Sequence, residues 1–152
     1  MFYLIRFNIL ECWIKKVNDR RRIYHRKNNK PAIIRNGEKK YFLRGQLHRE
    51  NDLPAVDYKN IKEYWVHGKK YEIITHSNGT KEWWFYSDDC SITNNKAILH
   101  RFYNQPAIEY ANGDKEWHFY GKLHRTDGPA VIYGNKQYWF ENGEFKKESP
   151  IT

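Results

Sequence analysis

The segment "GKLHRTDGPAVIY", Gly121 to Tyr133, places His124, Arg125 and Asp127 within four residues, ahead of a Gly-Pro step. A histidine close to a carboxylate is a pairing used in proton transfer, and the same two residue types bind metals. Either chemistry requires the residue types to persist wherever the motif persists. The pair His-Arg occurs at His25-Arg26, His48-Arg49, His100-Arg101 and His124-Arg125. Pro-Ala follows each, at Pro31-Ala32, Pro54-Ala55, Pro106-Ala107 and Pro129-Ala130. The acid does not persist: Asp127 is matched by Asp52 one place later, and elsewhere by Asn28, Asn29 or Asn104. Asparagine accepts a hydrogen bond in a turn as aspartate does, but it cannot take or give the proton. Metal fails on spacing, because equivalent residues two strands apart lie roughly 9.6 Å from each other. His100 and His124 therefore do not share an ion in a regular ladder. The residues His25, His48, His100, His124, Asp127 and Pro129 read as a structural corner, with no catalytic residue, metal ligand or cofactor. A hydrolase using His124 and Asp127 is the alternative from a different class.

The elements that would position these corners are repeats. Successive histidines of the motif lie 23, 52 and 24 residues apart, and 52 is two periods plus an insertion. The missing copy is "EIITHSNGTKEWWFY" (Glu72 to Tyr86), which matches "PAIEYANGDKEWHFY" (Pro106 to Tyr120) without a gap. Within a copy, "PAIEY" alternates apolar and polar residues, Asn-Gly is a strong two-residue turn signal, and "DKEWHFY" returns rich in aromatics. Sites such as Asn36-Gly37, Asn112-Gly113 and Asn142-Gly143 supply the positive φ of tight turns. No stretch keeps a 3.6-residue apolar period. The reading is an all-β, elongated antiparallel meander of tandem ~24-residue β-hairpin repeats, mostly single-layer, one hairpin per repeat. Residues 1–23 form an N-terminal capping segment and 24–147 form five repeats, the third degenerate, with a loop insertion at 87–96. Residues 148–152 form a tail. In each corner, histidine would donate to a carbonyl of the next hairpin and arginine would lie over a ring.

The stretches "GQLHRENDLPAVDY" (Gly45 to Tyr58), "GKLHRTDGPAVIY" and "NGDKEWHFYGKLHR" (Asn112 to Arg125) resemble the MORN repeat family. They are closer still to a variant with the pattern "LHRxDGPAxxYxNGxKxWYxNG" associated with large DNA viruses and some bacteria. The standard "YxGxWxxGxxHGxG" line of MORN repeats is not present. The resemblance implies an elongated scaffold that binds proteins or anionic membranes, in which no repeat is itself an active site. Abundant Asn, Lys, Ile and Tyr fit an AT-rich genome and so a large virus.

Composition sets the remaining expectations. The chain has 152 residues, 17% of them aromatic, with a net charge of +9, and its mean hydropathy is −0.98. Tyrosine and tryptophan take the place of a Leu/Val/Ile core, which suits a thin structure. The positive charge points to nucleic acid, an acidic protein face or an anionic surface. Candidate anion contacts are the cluster Arg20, Arg21 and Arg22, and the row Arg26, Arg49, Arg101 and Arg125, whose guanidinium groups match phosphate and carboxylate. Trp65, Trp83, Trp117 and Trp139 are expected at equivalent strand positions, lining one face that would dock a protein or stack bases. A meander leaves two open edges, here expected to include "KQYWFENG", so self-association is expected. The start, "MFYLIRFNILECWI", is too short and too charged for a transmembrane span. Cys12 and Cys90 have no metal or disulfide spacing, which fits a reducing compartment: host cytoplasm or virion if viral. The first function this supports is a non-enzymatic scaffold or structural binding protein, possible component of a large viral particle or a virus-encoded interaction module. The second is a basic nucleic-acid- or anionic-surface-associated protein.

Overall fold

Short alternating runs, each cut after a few residues by Gly, Asn or Pro, allow strands but no helix, and no helix occurs among the described residues. The structure, a computed structural model, describes residues 2–7, 10–18, 21–86 and 97–151. Arg20, Cys90 and the insertion at 87–96 lie outside the described residues. The chain divides into two compact units, residues 1–70 and 71–152.

In the first unit, β1 (Phe2–Phe7) and β2 (Leu10–Lys16) form a hairpin, and β3 (Arg22–Tyr24) and β4 (Ile33–Arg35) both pair with β2. The ladder continues through β5 (Glu38–Lys40), β8 (Val56–Tyr58) and β9 (Ile61–Val66), always antiparallel. Between β5 and β8 the chain leaves this ladder and makes a separate small hairpin of β6 (Phe42–Leu43) and β7 (Gln46–Leu47). The second unit repeats the plan. β10 (Lys69–Thr75) begins at the junction and pairs with β11 (Lys81–Phe85). The order then runs through β13 (Ile108–Glu109), β14 (Lys115–Glu116), β17 (Val131–Tyr133), β18 (Lys136–Glu141) and β19 (Glu144–Pro150). β12 (Ile98–Leu99) also pairs with β11, and β15 (His118–Phe119) and β16 (Lys122–Leu123) form the second small hairpin. The fold is an all-β antiparallel meander.

Each complete module thus contains two hairpins rather than one. The main strand breaks at its ring residue, Tyr41 or Trp117, whose N–H still reaches the alanine carbonyl of the next Pro-Ala step. Tyr41 N donates to Ala55 O at 2.8 Å and Trp117 N to Ala130 O at 2.8 Å. The chain beyond it then turns back through Arg44-Gly45 or Tyr120-Gly121 to bring the next His-Arg pair into place. The turns also differ among themselves. Asn36 and Gly37 both have positive φ (48° and 81°), the requirement of a type I′ hairpin, whereas at Asn112-Gly113 only Gly113 does (94°). There the Asn112 side chain accepts from Asp114 N at 3.2 Å, and the loop is longer.

Both ends of the array depart from the sequence reading. The expected terminal edge, "KQYWFENG", is covered by β19, which pairs with β18 across a register shift between Trp139 and Phe140. β19 runs into the segment read as a tail, and its lysines (Lys146, Lys147) and Pro150 are residues that discourage strand addition. Residues 1–23 supply a full hairpin, and in β1 the side chains of Phe2, Tyr3, Leu4 and Ile5 are exposed. The core joins rings and alanines to a few aliphatic side chains: Tyr41, Tyr71, Trp83, Phe85 and Trp117 are buried with Val56, Val66, Ile108 and Val131, and Ala32, Ala55, Ala107 and Ala130 are each 0% exposed.

Candidate functional site

The four His-Arg corners bring imidazole, guanidinium and ring side chains together on a shared backbone frame. Every corner histidine gives its N–H to the carbonyl of a ring residue: His25 to Trp13, His48 to Tyr41, His100 to Trp83 and His124 to Trp117, at 3.0–3.1 Å. The same ring residues take their own hydrogen bond from N–H to the corner alanine's carbonyl, at 2.8–2.9 Å. The ring, the histidine and the alanine are therefore clamped together before any side chain acts.

Each imidazole then accepts a hydrogen bond. His25 Nδ1 receives Arg44 N–H at 2.9 Å, His48 Nδ1 receives His67 N–H at 3.2 Å, His100 Nδ1 receives Tyr120 N–H at 3.4 Å, and His124 Nδ1 receives Asn142 N–H at 3.1 Å. This differs from the expected arrangement: at Nδ1 the ring accepts from a backbone amide. An accepting Nδ1 fixes the neutral tautomer with its hydrogen on Nε2. The four donors are the first residues of the small turns, and all four have positive φ, between 47° and 53°. Left-handed backbone is costly for Tyr120 and His67. Their rings lie against the accepting histidines, Tyr120 stacked on His100 at 4.8 Å and His67 tilted by 30° against His48 at 4.3 Å. The hydrogen bond and the ring contact together offset the backbone cost.

The arginines are equally committed. Their guanidinium carbons sit over Trp13, Tyr41, Trp83 and Trp117 at 3.5, 3.7, 3.6 and 4.1 Å from the ring centroids. Nη1 of Arg26, Arg49, Arg101 and Arg125 donates to the carbonyl of Pro31, Pro54, Pro106 and Pro129, at 3.0–3.3 Å. Such a cation–ring contact, part-buried and hydrogen-bonded, is worth up to ~2 kcal/mol. Arg101 also pairs with Glu109 at 2.7 Å and Arg125 with Asp127 at 2.7 Å. Asp127 is held below the usual carboxylate range, first by Arg125 and next by a hydrogen bond with Asn104. Corners are also laced to one another within a unit: Arg49 Nε donates to Asn29 Oδ1 at 2.9 Å. The fourth corner is one residue shorter between Arg and Pro, and it closes on Gly128. A Cβ there would meet Arg125 Cζ at 3.1 Å.

Two substitutions show what the corner needs. In the degenerate third copy, buried Tyr71 stands three residues after Gly68, where His48 stands after Gly45, and β10 runs straight through without a corner. After the last turn, Lys147 takes the arginine's place, its Nζ 4.4 Å from the Trp139 centroid.

The tryptophans do not all line up. Pairing registers set Glu63, Glu82, Glu116 and Tyr138 at one position, opposite Val56, Ile74, Ile108 and Val131. The following residues, Tyr64, Trp83, Trp117 and Trp139, are therefore equivalent, and Trp65 is one residue out of register, on the opposite face. Its true counterparts are Trp84 and His118. Each of these bonds the glutamate two residues before it: Trp65 to Glu63 at 3.1 Å, Trp84 to Glu82 at 2.8 Å and His118 to Glu116 at 2.7 Å. Aligning "KEYW", "KEWW" and "KEWH" on Lys-Glu gives this assignment from sequence. Glu116 gathers the most partners, adding Tyr110 and Tyr133. Burial pushes its carboxyl up, but the hydrogen bonds from His118, Tyr133 and Tyr110 outweigh that and leave it at about 2.

The anion candidates separate into two kinds. The guanidinium groups of Arg26, Arg49, Arg101 and Arg125 are committed within their corners. Arg21 and Arg22 are exposed, beside a turn in which Arg21 N donates to Asn18 Oδ1 at 2.9 Å. Among the described residues, no three His, Cys, Asp or Glu side chains converge as a metal site, and no helix is long and apolar enough to cross a membrane. Buried Cys12 carries a free thiol, raised by burial. No family model, curated protein or solved structure matches the chain.

Proposed function

We propose that the chain is a non-enzymatic β-repeat scaffold, a structural binding protein that works as part of a larger assembly. One observation carries the reading: the groups best suited to chemistry, the corner imidazoles and guanidiniums, are spent on backbone amides, proline carbonyls and buried rings. A catalytic histidine needs a nitrogen and a reacting atom within reach, and the repeated corner uses Nδ1 for the fold. The likeness to MORN-type repeats agrees with a scaffold, and a component of a large viral particle or a virus-encoded interaction module inside the host cell is its setting. Association would use the aromatic faces and the outer strand β1, whose apolar side chains are exposed. Sedimentation equilibrium on the full chain tests this. Self-association that survives raised salt and is lost in Ile5→Lys supports it; a monomer at every concentration and salt contradicts it.

The second reading, a basic protein associated with nucleic acid or an anionic surface, is favoured by the net charge of +9. Its mark is binding to mixed-sequence DNA or RNA that collapses between low and physiological salt.

A further inference from the structure

The first unit contains a half-open cleft of about 330 Å³ between its two corners, lined by Arg26, Lys27, Lys30, Tyr41, His48 and Arg49. The second unit has the corresponding cleft, about 430 Å³, with Phe102 where Lys27 stands and Gln105 where Lys30 stands. The fold therefore builds the same hollow twice: the first gathers Arg26, Lys27, Lys30 and Arg49, whereas the second has Arg101 as its one Lys or Arg.

His48 adds an independent observation. It is 7% exposed, and its Nε2 has no hydrogen-bond partner. Because Nδ1 accepts the His67 amide, Nε2 must carry the hydrogen, so a buried donor stands unanswered at the wall of a cationic cleft. Glu50 Oε1 lies 3.7 Å away, beyond hydrogen-bonding distance, on a side chain that is 63% exposed. Glu50 is the one carboxylate of the lining, against four cations. It marks where an acceptor oxygen is wanted without supplying the bond.

From these observations we infer that the cleft is a binding site for a phosphomonoester group. A carboxylate would answer two donors. A tetrahedral dianion presents oxygens in several directions, matching the His48 imidazole N–H and the ammonium groups of Lys27 and Lys30, while the ring-stacked guanidiniums of Arg26 and Arg49 add positive charge from within their corners. The volume leaves room for the group that bears the phosphate. Lys27 and Lys30 are exposed and project from the tight turn Asn28-Asn29, whose residues both have positive φ. Glu50 is displaced when the anion enters.

The test is an NMR titration of the full chain with sodium phosphate at neutral pH, against sodium chloride of equal ionic strength. The site requires saturable shifts of the His48 side-chain signals by phosphate alone. The double variant K27A/K30A should fold, both positions being exposed, and weaken binding by at least about tenfold. E50Q should tighten it by about threefold. No saturable response at His48, unchanged affinity in K27A/K30A, or weaker binding in E50Q would each overturn the inference. Free phosphoserine and vesicles containing phosphatidic acid identify the source: either one, bound with the same lysine dependence, supports the site. A short oligonucleotide without a terminal phosphate that binds these lysines more tightly than both would overturn the monoester assignment. Phosphate is not expected to change the sedimentation of the chain, so this result and that of the scaffold test are read separately.

Discussion

Protonating an imidazole whose Nδ1 already receives a backbone N–H replaces an attraction with two opposed hydrogens. His25 is held below its ordinary value of 6.5 by burial and by Lys15, Lys27 and Arg44 nearby. His48 is held down by burial and by His67, against the opposing pull of Glu50. The unfolded chain takes up these protons first, so the stability they supply is intact above about pH 6.5 and drains as pH falls below it. Glu116 sets a second window: with its pKa lowered from 4.5 to about 2, its contribution is present above 4.5 and lost on the way down to 2. Denaturant midpoints measured against pH should fall in two stages, and Glu116→Gln should flatten only the lower one. The alanines are a third constraint at this scale. Ala107 is fully buried between the Trp83 and Glu116 backbones, so Ala107→Val should cost about 1–3 kcal/mol by overpacking, measured by urea unfolding.

At the scale of elements, register decides which tryptophan matters. Trp83 is 3% exposed beneath Arg101, whereas its neighbour Trp84 faces the other side and holds Glu82. Trp83→Ala should cost about 3–5 kcal/mol, and Trp84→Ala less than half as much, by the same unfolding measurement. Strands, turns and period were legible in the sequence because alternation and Asn-Gly act locally. The small hairpin of β6 and β7 was not, since two-residue strands leave no alternation and Arg44-Gly45 carries less turn signal than Asn-Gly. The off-register Trp65 was misread for a different reason: counting tryptophans ignores Tyr64, which does the same job one place earlier.

For the whole molecule, the repeated corner is a device for joining hairpins in a chain poor in aliphatic residues. Its residue types were visible in the sequence, because a motif recurring with Asn in place of Asp points away from proton transfer. Its hydrogen-bond direction was not, since the donors, Arg44, His67, Tyr120 and Asn142, share no side-chain chemistry and act only through backbone amides placed by the turns. The basic cleft was also hidden, because it needs two corners to be neighbours in space. The central claim is that all four imidazoles are neutral acceptors that lock one hairpin to the next. Nitrogen-15 NMR of the histidine side chains at neutral pH measures this directly. The account requires His25, His48, His100 and His124 to carry hydrogen on Nε2, with Nδ1 coupled across a hydrogen bond to those four amides. Imidazolium signals, or hydrogen on Nδ1, at these positions would contradict it.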